Sequence, residues 1–367
     1  MITIVGAGVH GLSLAYHLIR KGINDITIVE AVRVGYGSSG RNLARFRLNF
    51  NDENNVKFAR EAIQYMWKAR KKLNLNPMIY KAGYLWLLKK EKDISNFRRL
   101  DVMWKTYEVK GGFIECKDFR YINFEGECYF SPESGAFHHD YLTYGIYDKI
   151  KDVAKFVYGN VTGINVRSGK VASIRVNSTD LETEKLIVTA GAWTPRLLSP
   201  IGVNLPITPV RKEAYITEDI EFRIKPLIID AESGVSFSQT LKGEIIGGGP
   251  EEKEGYVEFS TSFFHMLNFL RTVKKIVNGL HNIGVLRSWS GYYEMTPDRS
   301  HIMGYDSSWP ENLFVDAGYS GHGMMFGLYS GKLMSDLVAD NTASEFIRIF
   351  GPSRFNEGRL LAESMVI

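Results

Sequence analysis

The sequence is poor in cysteine and in long apolar runs, and it has no large excess of either charge. Its two cysteines, Cys116 and Cys128, have a spacing that matches no metal or redox motif. No apolar run is long enough to span a bilayer, and no basic segment with a cleavage site precedes the first apolar stretch. We therefore expect a cytoplasmic protein with free thiols, and a Cys116–Cys128 disulfide stays open as the alternative.

Acidic and basic residues are interspersed along the chain, with 45 Lys and Arg against 41 Asp and Glu, and the net charge is +4. This balance gives no indication of a nucleic-acid partner, and no motif indicates a metal. We find no internal repeat, linker or low-complexity tract. A chain of 367 residues that is 44% hydrophobic is long enough for two domains, or for one large domain with an insertion.

The first thirty residues contain a short β-branched strand, a glycine turn, a helix and a second strand that ends in an acid. Gly6 permits a tight turn, Gly8 lets the backbone approach a pyrophosphate, and Gly11 lets the helix pack close to the sheet. The pyrophosphate would bind at the helix N-terminus, where unpaired N–H groups favour anions. Glu30, nineteen residues after Gly11, would accept hydrogen bonds from the ribose hydroxyls and repel a 2′-phosphate, so NADP is disfavoured.

Further small and polar residues follow this unit. The glycine-rich loop 35–42 carries hydroxyl, guanidinium and amide groups that suit phosphate and flavin-edge contacts. An extended segment then places Arg45, Arg47 and Asn49 on one side, where the cations are candidates for binding an anionic substrate. A second small-residue turn, 190–193, follows a short apolar strand, at the end of the sheet where open α/β folds bind ligands.

The order of elements predicts the fold. Alternating strands from residue 205 indicate a mixed or antiparallel sheet, and the turn 318–323 precedes a final helix. We therefore predict an α/β fold of two domains (α+β overall), in which a discontinuous Rossmann-type cofactor domain is interrupted by a substrate domain. The predicted cofactor domain comprises residues 1–50, 140–204 and 285–367, and the substrate domain comprises residues 51–139 and 205–284.

Five motifs, in order along nearly the whole chain, carry a resemblance to a known family. The chain resembles the glutathione-reductase-type flavoproteins of the D-amino-acid oxidase superfamily, and within it the sarcosine oxidase branch most. The motifs are Gly6-Ala7-Gly8-Val9-His10-Gly11 with Glu30, Gly37-Ser38-Ser39-Gly40-Arg41-Asn42, Val188-Thr189-Ala190-Gly191-Ala192-Trp193, Met295-Thr296-Pro297-Asp298 and Gly321-His322-Gly323-Met324.

The resemblance implies extended FAD rather than NAD, with ADP on the first βαβ unit and the isoalloxazine facing the second sheet. It also implies that the backbone of Val161 contacts adenine and that the turn Gly321 to Met325 covers the pyrimidine end of the flavin. The cofactor-binding residues expected on this basis are Gly6, Gly8, Val9, His10, Gly11, Glu30, Ala31, Ser38, Ser39, Arg41, Asn42, Leu43, Val161, Ala190, Gly191, Trp193, Gly321, His322, Gly323, Met324 and Met325.

Several positions depart from the family pattern. Gly291 stands where many sarcosine oxidases attach FAD through a cysteine, so noncovalent FAD is expected. Met325 replaces the family's carboxylate-binding lysine, and Tyr293 stands where glycine oxidase and D-amino-acid oxidase have an arginine. Only Arg47 matches a carboxylate ligand of the sarcosine oxidases. An oxygen-promoting lysine has no clear counterpart near residues 245–248, which favours an electron acceptor other than oxygen.

We predict oxidation of the C–N bond of a small secondary or primary amino acid, such as sarcosine, proline or glycine, by hydride transfer to flavin N5, giving an imine. Arg47 is the expected carboxylate ligand, and an internal ion pair is its alternative role. Oxygen or a redox partner would take the electrons, in a homo-oligomer or a hetero-oligomeric complex. The other expected active-site residues are Tyr293, His322, Tyr215 and Met325.

Two other functions stay open. The resembling fold also hosts 2-hydroxy-acid and glycerol 3-phosphate dehydrogenases, which bind anionic substrates beside FAD. The chain could alternatively be an electron-transferring or structural subunit that holds FAD while a partner carries the active site. Reduction of the flavin by an amine, by a hydroxy acid or by neither distinguishes the three.

Overall fold

The computed structural model describes residues 1–250, 252–280 and 282–365. Along the chain, most of its helices lie between strands, and the last three follow the last strand. In chain order they are α1 (Val9–Arg20), α2 (Glu53–Leu73), α3 (Glu91–Thr106), α4 (His139–Ile150), α5 (Thr194–Leu198), α6 (Phe263–Ile276), α7 (Gly323–Asp340), α8 (Glu345–Ile349) and α9 (Ser353–Asn356). None of the helices in these described ranges is long and apolar enough to cross a membrane.

The strands of the described residues form two large and two small sheets. In chain order they are β1 (Ile2–Val5), β2 (Ile26–Glu30), β3 (Arg45–Phe46), β4 (Tyr80–Lys81), β5 (Tyr84–Leu88), β6 (Gly112–Ile114), β7 (Glu127–Ser131), β8 (Gly135–Ala136), β9 (Lys155–Tyr158), β10 (Val161–Arg167), β11 (Lys170–Val176), β12 (Thr179–Glu182), β13 (Lys185–Val188), β14 (Thr208–Asp219), β15 (Leu227–Asp230), β16 (Ser236–Gln239), β17 (Glu244–Gly248), β18 (Glu252–Glu254), β19 (Val285–Met295), β20 (Ile302–Gly304) and β21 (Leu313–Ala317).

The first large sheet has the strand order β20-β21-β13-β1-β2-β9 within the described residues. Its strands pair in parallel except for β20, which is antiparallel to β21. The central strand β1 is β-branched and fully buried, as expected for a sheet covered on both faces. Helix α1 packs against α7, and a Cβ on Gly331 of α7 would lie 2.4 Å from Ser13 Oγ, so the close contact requires glycine.

The second large sheet is mixed and follows the order β18-β14-β17-β16-β15-β5-β7-β6. Strand β19 joins it by pairing with β14 over nearly its whole length. The predicted division places residues 285–295 in the cofactor domain, whereas this pairing places β19 in the second sheet, because β14 supplies an antiparallel edge. The bounds of the two domains stay a prediction. Helix α6 covers this sheet through Phe269, Val273 and Ile276.

The expectation of free thiols is wrong, because Cys116 and Cys128 form a disulfide with a Cα–Cα distance of 5.3 Å. Strands β6 and β7 pair antiparallel and place Ile114 opposite Cys128. The short turn after β6 then brings Cys116 to its partner. The sequence left this pairing open because the strand that creates it, β6, is only three residues long.

Candidate functional site

The glycine turn after β1 is held in a conformation that side chains would block. Gly6 has φ +110°, and a Cβ there would lie 2.5 Å from Thr189 O. A Cβ on Gly11 would lie 2.1 Å from Gly6 O, so Gly11 serves the packing of α1 on the turn. Helix α1 has no side-chain cap at Gly8. Val9 N donates to Ser39 Oγ at 3.0 Å, and the other N-terminal N–H groups with their partial positive charge face a cavity.

Glu30 is fixed at the end of β2 by two backbone donors. Ala7 N donates to Oε2 at 2.9 Å, and Val32 N donates to Oε1 at 3.0 Å. The carboxylate borders a cavity of about 720 Å³. Predicted cofactor residues in the lining of this first cavity are Gly6, Gly8, His10, Glu30, Ala31, Ser38, Ser39, Val161, Ala190, Gly191 and Trp193.

A second cavity lies between the first sheet and strands β14 and β19. It shares His10, Ser38, Ser39, Glu294 and Tyr319 with the first cavity, so the two form one elongated space. Predicted residues in the lining of the second cavity are Val9, His10, Ser38, Ser39, Arg41, Asn42, Leu43, Arg47, Tyr293, Gly321, His322, Gly323, Met324 and Met325.

The loop between β2 and β3 is fixed by its own polar side chains. Ser38 Oγ donates to Tyr292 O at 2.7 Å, and Asn42 Nδ2 donates to Ser39 O at 2.7 Å. Arg41 Nη1 donates to Ser290 O at 3.2 Å. These contacts tie the loop to β19, so the wall of the cavity is preformed.

The turn before α7 forms the opposite wall. Gly321 has φ +93°, and a Cβ there would lie 2.3 Å from Tyr293 Cε2, so the turn packs directly on that ring. Helix α7 has no side-chain cap at His322, and its N-terminal N–H groups therefore face the cavity. Burial lowers the pKa of His322 to about 3, and its Nε2 has no partner among the described residues. The imidazole is consequently neutral at physiological pH.

Arg47 lies in the cavity wall but is largely engaged inside the protein. Its guanidinium donates to Asn49 O at 3.0 Å and to Met365 O, and it stacks over the Phe50 ring at 4.3 Å. Burial lowers the pKa of Arg47, and the nearby Glu363 carboxyl opposes this shift.

Arg45 was considered with Arg47 as a candidate cation but was not among the expected site residues. It also lines the second cavity, and it reaches from β3 to the second sheet. Nη2 donates to Ile246 O at 2.7 Å and to Ser238 Oγ at 3.1 Å. The alternation of side chains indicated its direction, but no local signal indicated these partners.

Tyr215 does not line either cavity, in contrast to the expectation. It is fully buried, its hydroxyl donates to Glu213 Oε2 at 2.7 Å, and its ring packs on Phe269. Its neighbour Ala214 faces the cavity, so Tyr215 points to the opposite face of β14. This residue belongs to the core under α6.

Lys212 and Glu294 are among the charged residues of the wall that were missed. Lys212 lines the second cavity, and its Nζ lies 2.7 Å from Glu252 Oε1. Glu294 lies where the two cavities join, accepts a hydrogen bond from Gly318 N at 2.7 Å, and has a pKa raised by burial. Both residues lie on long strands, β14 and β19. The pairing of these strands brings both residues to the cavity, and the local sequence does not reveal that pairing.

Comparison with known proteins identifies the family. The family model described as FAD dependent oxidoreductase matches residues 1–337. The chain belongs to this family. It is 27% identical over 379 residues to sarcosine oxidase subunit beta of Rhodobacter capsulatus, covering 99% of this chain and 90% of that protein. The corresponding subunit of Rhizobium meliloti is 24% identical, with the same coverage. The predicted resemblance to the sarcosine oxidase branch of the D-amino-acid oxidase superfamily is confirmed.

Solved structures show the same fold for this FAD-dependent oxidoreductase. L-proline dehydrogenase from P. horikoshii superposes with a TM-score of 0.90 at 24% identity, covering 98% of each chain. Glycine oxidase from Geobacillus kaustophilus gives 0.87 at 19% identity, covering 96% of this chain and 98% of that one. The predicted two-domain α/β class is therefore confirmed.

The residues present fit the family's cofactor. The space over Gly8 would be filled by a Cβ, which would lie 3.0 Å from Ser39 Oγ. Two helix N-termini without side-chain caps, those of α1 and α7, open into the same elongated space. Such N-termini favour a pyrophosphate at one and developing negative charge at the other.

Proposed function

We propose that the protein oxidises the C–N bond of a small secondary or primary amino acid, such as sarcosine, proline or glycine, to an imine with bound FAD. The observation that carries this proposal is the second cavity, which extends the dinucleotide space to two arginines, Arg45 and Arg47. A planar guanidinium binds a carboxylate through paired hydrogen bonds. The amino acid would thus be anchored through its carboxylate at the arginine end.

The first cavity would hold the ADP part of FAD, with Glu30 at the ribose, the backbone of Val161 at adenine and the N-terminus of α1 at the pyrophosphate. When bound, FAD supplies the oxidation by accepting a hydride at N5. Gly291 lies in the wall against Arg41 and offers no side chain for attachment, which supports noncovalent binding.

The wall residues would then prepare the substrate. The N-terminus of α7 favours negative charge that develops beside it during the oxidation. His322 is neutral, so its unpartnered Nε2 is suited to a hydrogen bond with the substrate amine, which must be unprotonated to react. Tyr293 and Met325 would shape the amine pocket, and Met325 keeps it less cationic than a lysine would.

The relatives' names support this substrate class. They refer to sarcosine, proline and glycine, all small amino acids. The name sarcosine oxidase subunit beta also supports an assembly with other subunits, and we include such an assembly in the proposal.

Anaerobic reduction of the purified flavoprotein tests the proposal. Proline, sarcosine, glycine and D-amino acids are added singly, beside 2-hydroxyglutarate and glycerol 3-phosphate. We expect an amino acid to bleach the flavin and prolinamide, which lacks the carboxylate, to do so far less well. Reoxidation of the reduced protein by oxygen or by a dye then distinguishes an oxidase from a dehydrogenase.

Two results would contradict the proposal. Bleaching by a hydroxy acid alone would identify a dehydrogenase of that substrate class. No bleaching by any compound, together with normal FAD content, would identify a subunit that holds FAD for a partner.

A further inference from the structure

Arg45 and Arg47 lie two residues apart in the wall of the second cavity, but their internal partners differ. Arg47 donates to two backbone oxygens, those of Asn49 and Met365, and the Glu363 carboxyl lies close enough to oppose the effect of burial on its pKa. Glu363 is itself 5% exposed. The Arg47 guanidinium thus has backbone acceptors and an acidic neighbour within the described residues, although no ion pair joins it to Glu363.

Arg45 has only neutral partners. Its Nη atoms donate to Ser238 Oγ, Ile246 O and, at 3.5 Å, Ser236 Oγ. Its Nε is buried and has no hydrogen-bond partner among the described residues. None of the ion pairs formed within the described ranges includes Arg45.

No carboxylate of the described residues forms an ion pair with Arg45 or contributes to its pKa shift. Burial lowers the pKa of Arg45 to about 10, so the guanidinium is still a cation at neutral pH. The phenols that interact with it, Tyr84, Tyr293 and Tyr80, are neutral because burial raises their pKa values, that of Tyr84 to about 12. A buried cation without a counter-charge is unfavourable, and an anion that binds there offsets this cost.

The other cationic side chains that line the second cavity have different contacts. Lys212 pairs with Glu252, and Arg41 donates to the carbonyls of Tyr36 and Ser290. Among the described Arg and Lys side chains that line the second cavity, Arg45 alone combines the absence of an acidic partner with a buried donor that lacks an acceptor.

We propose that Arg45, rather than Arg47, binds the substrate carboxylate. Arg47 is then a positioning residue that holds the C-terminal segment, residues 359–365, against the cavity. This inference rests on the proposed amino-acid oxidation. It places the carboxylate beside Ser236 and Ser238 of β16, so the second sheet, and not only the loop after β2, selects the substrate.

Binding and turnover are compared in the FAD-loaded wild type, Arg45→Met, Arg45→Lys and Arg47→Met. The probe for binding is cyclopentanecarboxylate, a proline analogue without an amine, followed by the change in flavin absorbance. We expect Arg45→Met to weaken its binding and to raise KM for proline or sarcosine by about 10- to 100-fold, the range for one charge-assisted contact. The affinity of Arg45→Met for prolinamide should fall much less, because prolinamide has no carboxylate. Arg45→Lys should restore part of the affinity.

Arg47→Met should chiefly lower thermal stability, and it should keep the preference for the carboxylate over the amide. The inference is overturned if Arg47→Met abolishes that preference while Arg45→Met retains it. If no amino acid reduces the wild-type flavin but cyclopentanecarboxylate binding still depends on Arg45, the proposed oxidation fails and the anion site stands. Should Arg45→Met not retain FAD, Arg45→Lys decides: weaker cyclopentanecarboxylate binding with unchanged prolinamide binding would support the site, whereas unchanged affinity for both compounds would contradict it.

Discussion

The two ends of the elongated cavity are built in different ways. The dinucleotide end is centred on one unit, the turn after β1, the N-terminus of α1 and Glu30, and residues 159–163 and 189–193 complete its wall. The arginine end draws on β3, β14, β16, β19, the turn before α7 and the C-terminal segment. A locally built site depends on glycine geometry, whereas a site assembled from distant segments depends on the contacts that hold those segments together.

The largest expected effect is on the stability of the arginine end, which is assembled from distant segments. Arg354 and Asp298 form a buried ion pair at 2.8 Å with both side chains inaccessible, and Leu361 N donates to Asp298 at 3.2 Å. Arg354→Met leaves Asp298 unpaired and should lower the free energy of unfolding by about 3–5 kcal/mol. Urea unfolding measures this. The control is Arg359→Gln, which removes an exposed ion pair and should cost less than about 1 kcal/mol. Equal losses in both variants would show that the buried pair does not anchor the segment.

The second prediction tests whether the second sheet can be destabilised without weakening FAD binding. Replacing Cys116 and Cys128 together by alanine removes a cross-link between residues twelve positions apart. The loss should be about 3 kcal/mol of unfolding free energy, because the unfolded chain gains freedom. Thermal denaturation measures the stability, and fluorescence titration measures FAD affinity. Because the disulfide belongs to the second sheet, weaker FAD binding at a temperature where the variant is folded would contradict the proposed separation of the two ends.

Gly11→Ala tests the locally built end. Its Cβ would lie 2.1 Å from Gly6 O, so the turn must shift, at a cost of about 1–3 kcal/mol. We expect a reduced FAD content in the purified protein. Gly112→Ala is the matched control, because a Cβ at that position meets nothing within 4 Å. A normal FAD content in Gly11→Ala would show that the turn tolerates the side chain.

Glu30→Gln should have a smaller and more specific effect. The amide keeps the shape of the side chain but loses its charge, so ribose binding should weaken by about 1.4 kcal/mol, or tenfold in the Kd for FAD. At saturating FAD the kcat should be unchanged, because Glu30 lies in the first cavity and the arginines lie in the second. A lower kcat in fully loaded protein would indicate that the two ends are coupled.

The last prediction concerns acid stability. Burial lowers the pKa of His17 in α1 to about 4 and that of His322 to about 3, below the unfolded value of 6.5. As pH falls below 6.5 the unfolded chain binds protons that the folded protein does not, so each histidine lowers stability by up to about 1.4 kcal/mol per pH unit. In His17→Asn, the contribution of His17 to this loss of stability should disappear between pH 6.5 and about 4. In His322→Asn, the contribution of His322 should disappear between pH 6.5 and about 3. Urea unfolding across this range measures both slopes, and an unchanged slope in either variant would contradict the shift.

Much of the fold could be predicted because its periodic patterns are long. The apolar periodicity of residues 263–277 predicts a helix, which is observed as Phe263–Ile276, and the pattern of residues 285–293 predicts a strand, which is observed as Val285–Met295. Short strands such as Gly112–Ile114 and Thr179–Glu182 were missed, because three or four residues carry too little pattern. The central part of the dinucleotide lining was predictable because the glycine turn, α1 and Glu30 lie within one βαβ unit.

The arginine end was predictable only in part. Alternation gave the direction of Arg45 and Arg47, but their partners lie about 200 and 300 positions away, at Ile246 and Met365. Alternation also applies to Tyr215, yet the sequence did not show which face of β14 borders the cavity. Only the pairing of β14 with β17 and β19 decides that question.

A crystal structure of the FAD-loaded protein with cyclopentanecarboxylate tests the central claim most directly. The account predicts the adenine end of the cofactor beside Glu30, and the carboxylate within hydrogen-bond distance of the Arg45 guanidinium. A carboxylate bound to Arg47 with the C-terminal segment displaced, or one bound outside the second cavity, would contradict it.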